Sequence, residues 1–164
     1  MLELFLDADA CPVKDEAYRV AARHGMPVFV VTCQAMRDPA RPGVTLMSVP
    51  AGPDIADDWI ADKIAAGDIC ATDDIPLAAR CVRKGALVVT GRGRLLHEGN
   101  IGETLATRDL LESLRGSGAI GDGGGSGGGP APFTKPDRSR FLEQLEEAVR
   151  KIKRDIQTSA VSPN

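Results

Sequence analysis

The sequence predicts an α/β domain built on a parallel sheet flanked by helices, with an amphipathic helix appended at its C-terminal end. Three observations carry this expectation. Short apolar runs of strand length alternate with segments of helical period through residue 90. Two of those runs end in paired acids followed closely by proline, LFLDADACP and ICATDDIP, and in open α/β sheets the carboxyl ends of strands border the ligand crevice. Residues 116–129 then hold 9 of the 18 glycines, which separates one last apolar stripe from everything before it.

In chain order, Leu2, Leu4, Phe5 and Leu6 form the first buried strand, halted by Asp7 and Asp9. Pro12 suits the first turn of a helix, where a missing N–H costs nothing. Val13, Ala17, Val20 and Ala21 give that helix its buried face, Gly25 its stop, and His24 in the last turn complements the helix dipole. PVFVVT at 27–32 is a second buried strand and 44–49 a weaker third, with Arg37, Arg41 and turn residues forming a basic loop between them. Asp54 is expected to cap a helix over 55–66, in which Ala56, Trp59, Ile60 and Ile64 face the core. Asp58 and Asp62 fall toward solvent on that helix, whereas Asp57 lies at the edge of the buried stripe.

Gly67 ends this helix, and DICAT at 68–72 gives another strand that closes on Asp73 and Asp74. Pro76 opens a helix carrying Leu77, Ala78, Cys81 and Val82, closed by Gly85; Asp74 fits both an N-cap and a ligand-binding acid. ALVVT at 86–90 is the last clear strand, followed by the glycine-rich turn of Arg92 and Arg94, whose guanidinium groups suit phosphate oxygens. His97 has no partner at a useful spacing and is assigned no role. Asn100 and Glu103 read as a capping pair for a helix with Ile101, Leu105, Leu111 and Leu114 on one face. The domain is expected over 1–115, a flexible linker over 116–132, and a final helix over 133–157. Phe141, Leu142, Leu145, Val149 and Ile152 form its stripe, to be covered by this domain or by a second copy of the chain. Residues from about 158 are expected to fray.

The bulk numbers exclude several classes. With 164 residues, one domain is expected. A net charge of −3 provides no whole-protein field for polyanions, so nucleic acid needs a local basic patch. Only 6 of 164 residues are aromatic, which leaves little surface for stacking single-stranded bases. No stretch reads as a membrane span, and the start has no basic region typical of a secretory signal. The four cysteines show neither CxxC nor zinc-ligand spacing, so they read as reduced packing thiols of a cytoplasmic protein. Cys11 is set apart by its closeness to the acids, which would discourage a thiolate. There is no GxGxxG or GxxxxGK[ST], so no dinucleotide or P-loop site is expected.

Asp7, Asp9, Asp57 and Asp74 are therefore expected to meet at the carboxyl end of one sheet. Oxygen ligands without histidine or thiolate suit Mg²⁺ or Mn²⁺ better than zinc. Such ions activate water and stabilise a leaving oxygen in phosphodiester cleavage, with Arg92 and Arg94 steadying the phosphate.

At these residues the sequence resembles the YaiI/YqxD family of bacterial proteins. The resemblance is carried by LDADACPVK at 6–14, DIADDWI at 54–60, GDICATDDIPLAARC at 67–81, RG at 92–93, RD at 108–109 and PDRSRF at 136–141. It covers nearly the whole chain, the linker being least alike. It implies a PIN-like, NYN-type fold with helices on both faces of the sheet. It further implies a metal-dependent nuclease acting on RNA, with catalytic and metal-binding acids at Asp7, Asp9, Asp57 and Asp74 and Asp54 close by. Asp73 stands where the motif tolerates other residues and is read as a bystander.

Two other readings fit parts of the pattern. A haloacid-dehalogenase-type phosphatase also begins with a strand ending in DxD, and Asp7 would then be a nucleophile. Against it, Cys11 stands where that motif carries Thr or Val, and no cap domain is evident. A non-catalytic RNA- or protein-binding module of the same fold is the other.

Overall fold

The structure, a computed structural model, describes residues 1–118 and 132–161. The elements are β1 (Leu4–Asp7), α1 (Lys14–His24), β2 (Val28–Thr32), β3 (Val44–Ser48), α2 (Ile55–Lys63), β4 (Ile69–Ala71), α3 (Ile75–Arg83), β5 (Leu87–Val89), β6 (Leu95–Leu96), α4 (Ile101–Gly116) and α5 (Lys135–Val161). They form one six-stranded sheet in the order β3-β2-β1-β4-β5-β6, parallel throughout except for β6, which pairs antiparallel with β5.

Period-2 alternation divides the core into two layers. Leu4 and Leu6 of β1, with Val28, Val30, Ile69 and Ala71, pack against α1 and α5. Phe5, with Val31, Cys70 and Val88, packs on the other face against α2 and α3. The expected α/β class is thus the observed one, with helices on both faces, and it is consistent with a PIN-like arrangement. Phe5 and Phe29 stack with centroids 5.3 Å apart, and Trp59 closes the group from α2.

Several local expectations change. Pro12 lies before the helix, because Val13 takes the N-cap position of α1. Helix α2 stops at Lys63 because Ile64 turns extended and buries its side chain. Asp54 does occupy its N-cap position, but with φ 61° and no side-chain cap bond. Asn100 likewise does not cap α4. Its amide instead accepts from His97 N–H at 2.9 Å and donates to the Leu95 carbonyl at 2.9 Å, which braces the two-residue β6 that the sequence did not announce. On the expected face of α4, Ile101, Leu105 and Leu114 are half-buried and Leu111 is 42% exposed, while Thr104 is the helix's buried residue. That helix extends to Gly116, one residue into the expected linker; residues 119–131 of that linker lie outside the described residues.

The stripe of α5 is buried within its own chain. Phe141, Leu145, Ala148 and Val149 are 0% exposed and join the layer of α1. The helix continues to Val161 rather than ending at 157, with Thr158 and Ser159 bonded back to the carbonyls of Arg154 and Asp155. His24 serves less as a helix cap than as a docking post. Its Nε2 lies 2.7 Å from Glu146 Oε2, and Arg23 pairs with the same carboxylate. Buried Asp137 holds the start of α5, accepting from Thr134 N–H and from Arg140 and Arg92. The β5–β6 turn passes directly beneath it. At Gly93 the backbone is left-handed, φ +80°, and an added Cβ would stand 2.4 Å from the Arg140 carbonyl carbon.

Gly93→Ala is therefore expected to lower unfolding free energy by at least about 2 kcal/mol, through backbone strain and displacement of α5. Chemical denaturation would measure it; a change below about 0.5 kcal/mol would show that α5 is not seated on this turn.

Candidate functional site

In the strand order, β1 leads outward to β2 and β3, and the chain then returns to place β4 on the opposite side of β1. The crevice between the carboxyl ends of β1 and β4 is thus the topological switch point, the common ligand position of open α/β sheets. A cleft of about 180 Å³ lies there, lined by Asp7, Asp9, Asp54, Asp57 and Asp74 together with Cys33. All four acids expected to meet do line one cleft, and Asp54 joins them.

Sheet register explains how they are held. Asp7 continues the Phe5 face of β1, and one step beyond the Leu6–Ala71 pair it stands beside Thr72. Thr72 Oγ1 accepts the Asp74 N–H at 3.0 Å and donates to Asp7 Oδ2 at 2.8 Å. A single hydroxyl thus ties the ends of β1 and β4 together. The device recurs at the end of β2, where Thr32 Oγ1 accepts the Gln34 N–H at 3.0 Å and donates to Asp9 Oδ1 at 2.6 Å. Asp9 Oδ2 also accepts the Cys33 N–H at 2.9 Å. Asp74 caps α3, its Oδ1 accepting Leu77 N–H at 2.9 Å, and it also lines the cleft. Asp57 comes from the first turn of α2, and Asp58 on the solvent side of that helix pairs with Arg80.

Crowding of like charge marks the electrostatics. Burial, then Asp74, Asp7 and Asp54, push Asp57 up to about 6, against a weaker pull from Arg80. Burial also raises Asp7, which is 3% exposed; the Thr72 bond opposes this, and Asp74 and Asp9 add to it. Burial acts to raise Asp9 as well, but the bonds from Thr32 and Cys33 prevail and hold it below the usual range. Asp73 stands apart: its Oδ1 accepts Gly91 N–H at 2.7 Å, and it does not line the cleft, in keeping with its reading as a bystander.

The donor chemistry fits a hard divalent cation, being carboxylate oxygen without imidazole. Among the described residues, no three His, Cys, Asp or Glu side chains converge closely enough to enclose an ion as they stand. A cation here would be held by one or two carboxylates with water completing its shell, the mode Mg²⁺ favours.

The two arginines are placed differently from expectation. Arg92 Nη1 lies 3.2 Å from Asp137 of α5, and Arg94 Nη2 donates to Thr104 Oγ1 of α4 at 2.7 Å. Neither lines the cleft, because the antiparallel turn into β6 carries both toward those helices. The cysteines also divide unexpectedly. Cys70 and Cys81 are buried packing thiols, and burial pushes the Cys11 thiol up to about 12, which removes it as a nucleophile. Cys33, expected in the core, sits at the cleft, its thiol raised by its bond to Asp9.

Sequence reasoning passed over Thr32, Thr72 and Lys14. Each threonine ends an apolar run, in PVFVVT and DICAT, just as Asp7 ends LELFLD. That shared position was the available signal. Lys14 Nζ donates to the carbonyls of Ala8 and Cys11 at 3.1 and 3.3 Å and so closes the loop that carries Asp9.

Comparison with known proteins agrees with this framework. Residues 5–151 match the family described as "Uncharacterized BCR, YaiI/YqxD family". The chain is 54% identical over 151 residues to a UPF0178 protein of Cereibacter sphaeroides, covering 92% of this chain and 90% of that one. It is 51% identical over 154 residues to a UPF0178 protein of Parvibaculum lavamentivorans, covering 94% and 97%. A third, from Rhodopseudomonas palustris, is 47% identical over 156 residues, covering 95% and 97%. No solved structure matches.

The raised Asp57 sets a pH dependence in metal-free protein. The folded state binds this proton more tightly than the unfolded chain, whose ordinary value is 3.8, against about 6 when folded. Its stabilising contribution is complete below the ordinary value and is lost as pH rises through about 6. Asp57→Asn is accordingly expected to exceed wild type at neutral pH by about 1 kcal/mol after allowing for its partial exposure, or ~3 °C in melting temperature. The gap should close in acid. Melting curves across this range in EDTA provide the measurement, and a pH-independent gap would contradict the crowding of acids.

Proposed function

The chain belongs to the YaiI/YqxD family, and we propose that it is a Mg²⁺- or Mn²⁺-dependent nuclease that hydrolyses RNA phosphodiester bonds at the aspartate-lined cleft. The observation that carries this reading is the convergence of five aspartates at the switch point of the sheet. Two of them are set in place by threonine hydroxyls from neighbouring strand ends.

One or two of Asp7, Asp9, Asp57 and Asp74 would hold the ion directly, and the others would reach it through its water shell. A bound divalent ion supplies a Lewis acid that polarises phosphoryl oxygen and water and offsets charge on the leaving oxygen. The chain's own contribution is orientation. Thr72 fixes one oxygen of Asp7, and Thr32 with the Cys33 N–H fixes both oxygens of Asp9. The cap on α3 fixes one oxygen of Asp74. Carboxylates held in this way need little rearrangement to meet a cation or a reacting phosphate. Asp54 and Asp57 complete the opposite wall from α2, where further negative charge favours cation entry. Arg92 and Arg94 are given no part in this proposal, since their side chains engage Asp137 and Thr104.

Asp7→Asn keeps the acceptor for Thr72 while removing a charge. It is expected to cut Mn²⁺-dependent cleavage of single-stranded RNA by roughly a hundredfold or more, with melting behaviour retained. Equal cleavage by both proteins would end the nuclease reading. A phosphoryl group trapped on Asp7 would instead favour a phosphatase.

A further inference from the structure

The basic loop between β2 and β3 has no part in the site described above, yet it borders a second pocket of about 230 Å³ on the α1 side, where Lys14, Asp15, Tyr18, Met36, Arg37 and Arg41 line the wall. Three cations face one acid here, in a chain whose net charge is −3. Arg37 is exposed and makes no ion pair or hydrogen bond among the described residues. Tyr18 is 6% exposed, and its hydroxyl is buried without a hydrogen-bond partner. Buried tyrosine hydroxyls usually have a partner, so this one calls for a ligand or an ordered group. Arg41 lies over the Tyr18 ring, 5.1 Å from its centroid, and pairs with Asp15 at 3.0 Å. Both members of that pair are exposed, so exchanging Asp15 for a phosphate costs the guanidinium little.

We propose that this pocket binds the phosphodiester backbone of a single-stranded RNA and leads the strand to the aspartate cleft. The proposal rests on the nuclease reading for the identity of the strand. The loop over residues 8–14 links pocket and cleft, with Asp9 and Ala10 lining the cleft and Lys14 the pocket. Lys14 is bonded to the carbonyls of Ala8 and Cys11 on either side of Asp9, and Asp9 holds the Cys33 N–H from which the loop bearing Arg37 and Arg41 departs. A strand with one phosphate between Arg37 and Arg41 therefore extends toward the acids. The guanidinium over Tyr18 leaves no open ring for stacking, so the pocket grips backbone and does not select bases. Exposed arginines hold a lone phosphate ion weakly, whereas a polyanion gains from each further phosphate it seats and from the counterions it releases.

The test is fluorescence anisotropy of a labelled oligouridylate with the full chain in EDTA, across a series of salt concentrations. Binding by wild type is expected to weaken with salt. The double variant Arg37→Gln, Arg41→Gln is expected to bind at least tenfold more weakly. Its slope of log K against log salt should be shallower by about 1.4, because two phosphates of a single strand are no longer neutralised. Tyr18→Phe should weaken binding roughly two- to threefold without lowering the melting temperature, since it removes an unpartnered hydroxyl and not a structural bond. The proposal is overturned if wild type does not bind, or if the double variant keeps wild-type affinity and slope while remaining folded. Displacement of the oligomer by inorganic phosphate at equal phosphate concentration also overturns it, and assigns the pocket to a small anion. Cleavage is read separately: inactivity, or indifference to Asp7→Asn, removes the nuclease reading and leaves the arginine-dependent binding to be judged by itself.

Discussion

A carboxylate that closes a buried strand must be met by a donor, and for Asp7 that donor is the Thr72 hydroxyl on the adjoining strand. The rest of the site depends on this bond. It forms only if β1 and β4 are parallel neighbours in their observed register, which requires the chain to return across the sheet after β3. The same hydroxyl accepts from Asp74 N–H, so the cap of α3 and the end of β1 are set by one oxygen atom. Thr32 and Asp9 repeat the arrangement one strand away. Backbone amides thereby occupy the acceptor side of each hydroxyl and direct its proton at a carboxylate, so that negative charges which repel one another are still kept at one place.

The opposite face of the sheet concerns stability. There α1 and α5 close the layer around Leu4, Leu6 and Val30. The polar fastenings are concentrated at two points: Glu146 receives His24 and Arg23, and Asp137 receives Arg92, Arg140 and the start of its own helix. Arginines that looked like phosphate ligands from their glycine-rich turn thus help to dock a helix and to tie down α4. Arg37 and Arg41, in the loop before β3, line a pocket on the α1 side instead.

Much of the fold was legible in the sequence because its signals are local. The apolar runs of β1, β2 and β4, the acids ending two of them, and the helical phase that put Asp57 at the edge of a buried stripe need no knowledge of distant partners. What was missed involves pairing across the chain or unusual backbone. β6 has two residues and exists because it pairs with β5. The direction of Arg92 and Arg94 follows from a left-handed turn at Gly93. Asp54 resembled a cap by position, but its positive φ turns the side chain away from that duty. His24 meets Glu146 across 122 positions, and no spacing rule reaches that far. Whether the acids perform chemistry is not a matter of pattern at all, because capping and charge crowding produce the same residues at the same strand ends.

The burial of α5 also bears on the order in which the molecule can be made. Phe141, Leu145, Ala148, Val149 and Ile152 complete a layer whose other buried members are encoded before residue 90. During synthesis the strands and the first three helices therefore leave the ribosome with one greasy side covered only in part, by α1, and it stays so until translation has passed the glycine-rich segment and delivered the last helix. For that interval the nascent chain presents to chaperones the surface that the finished protein hides.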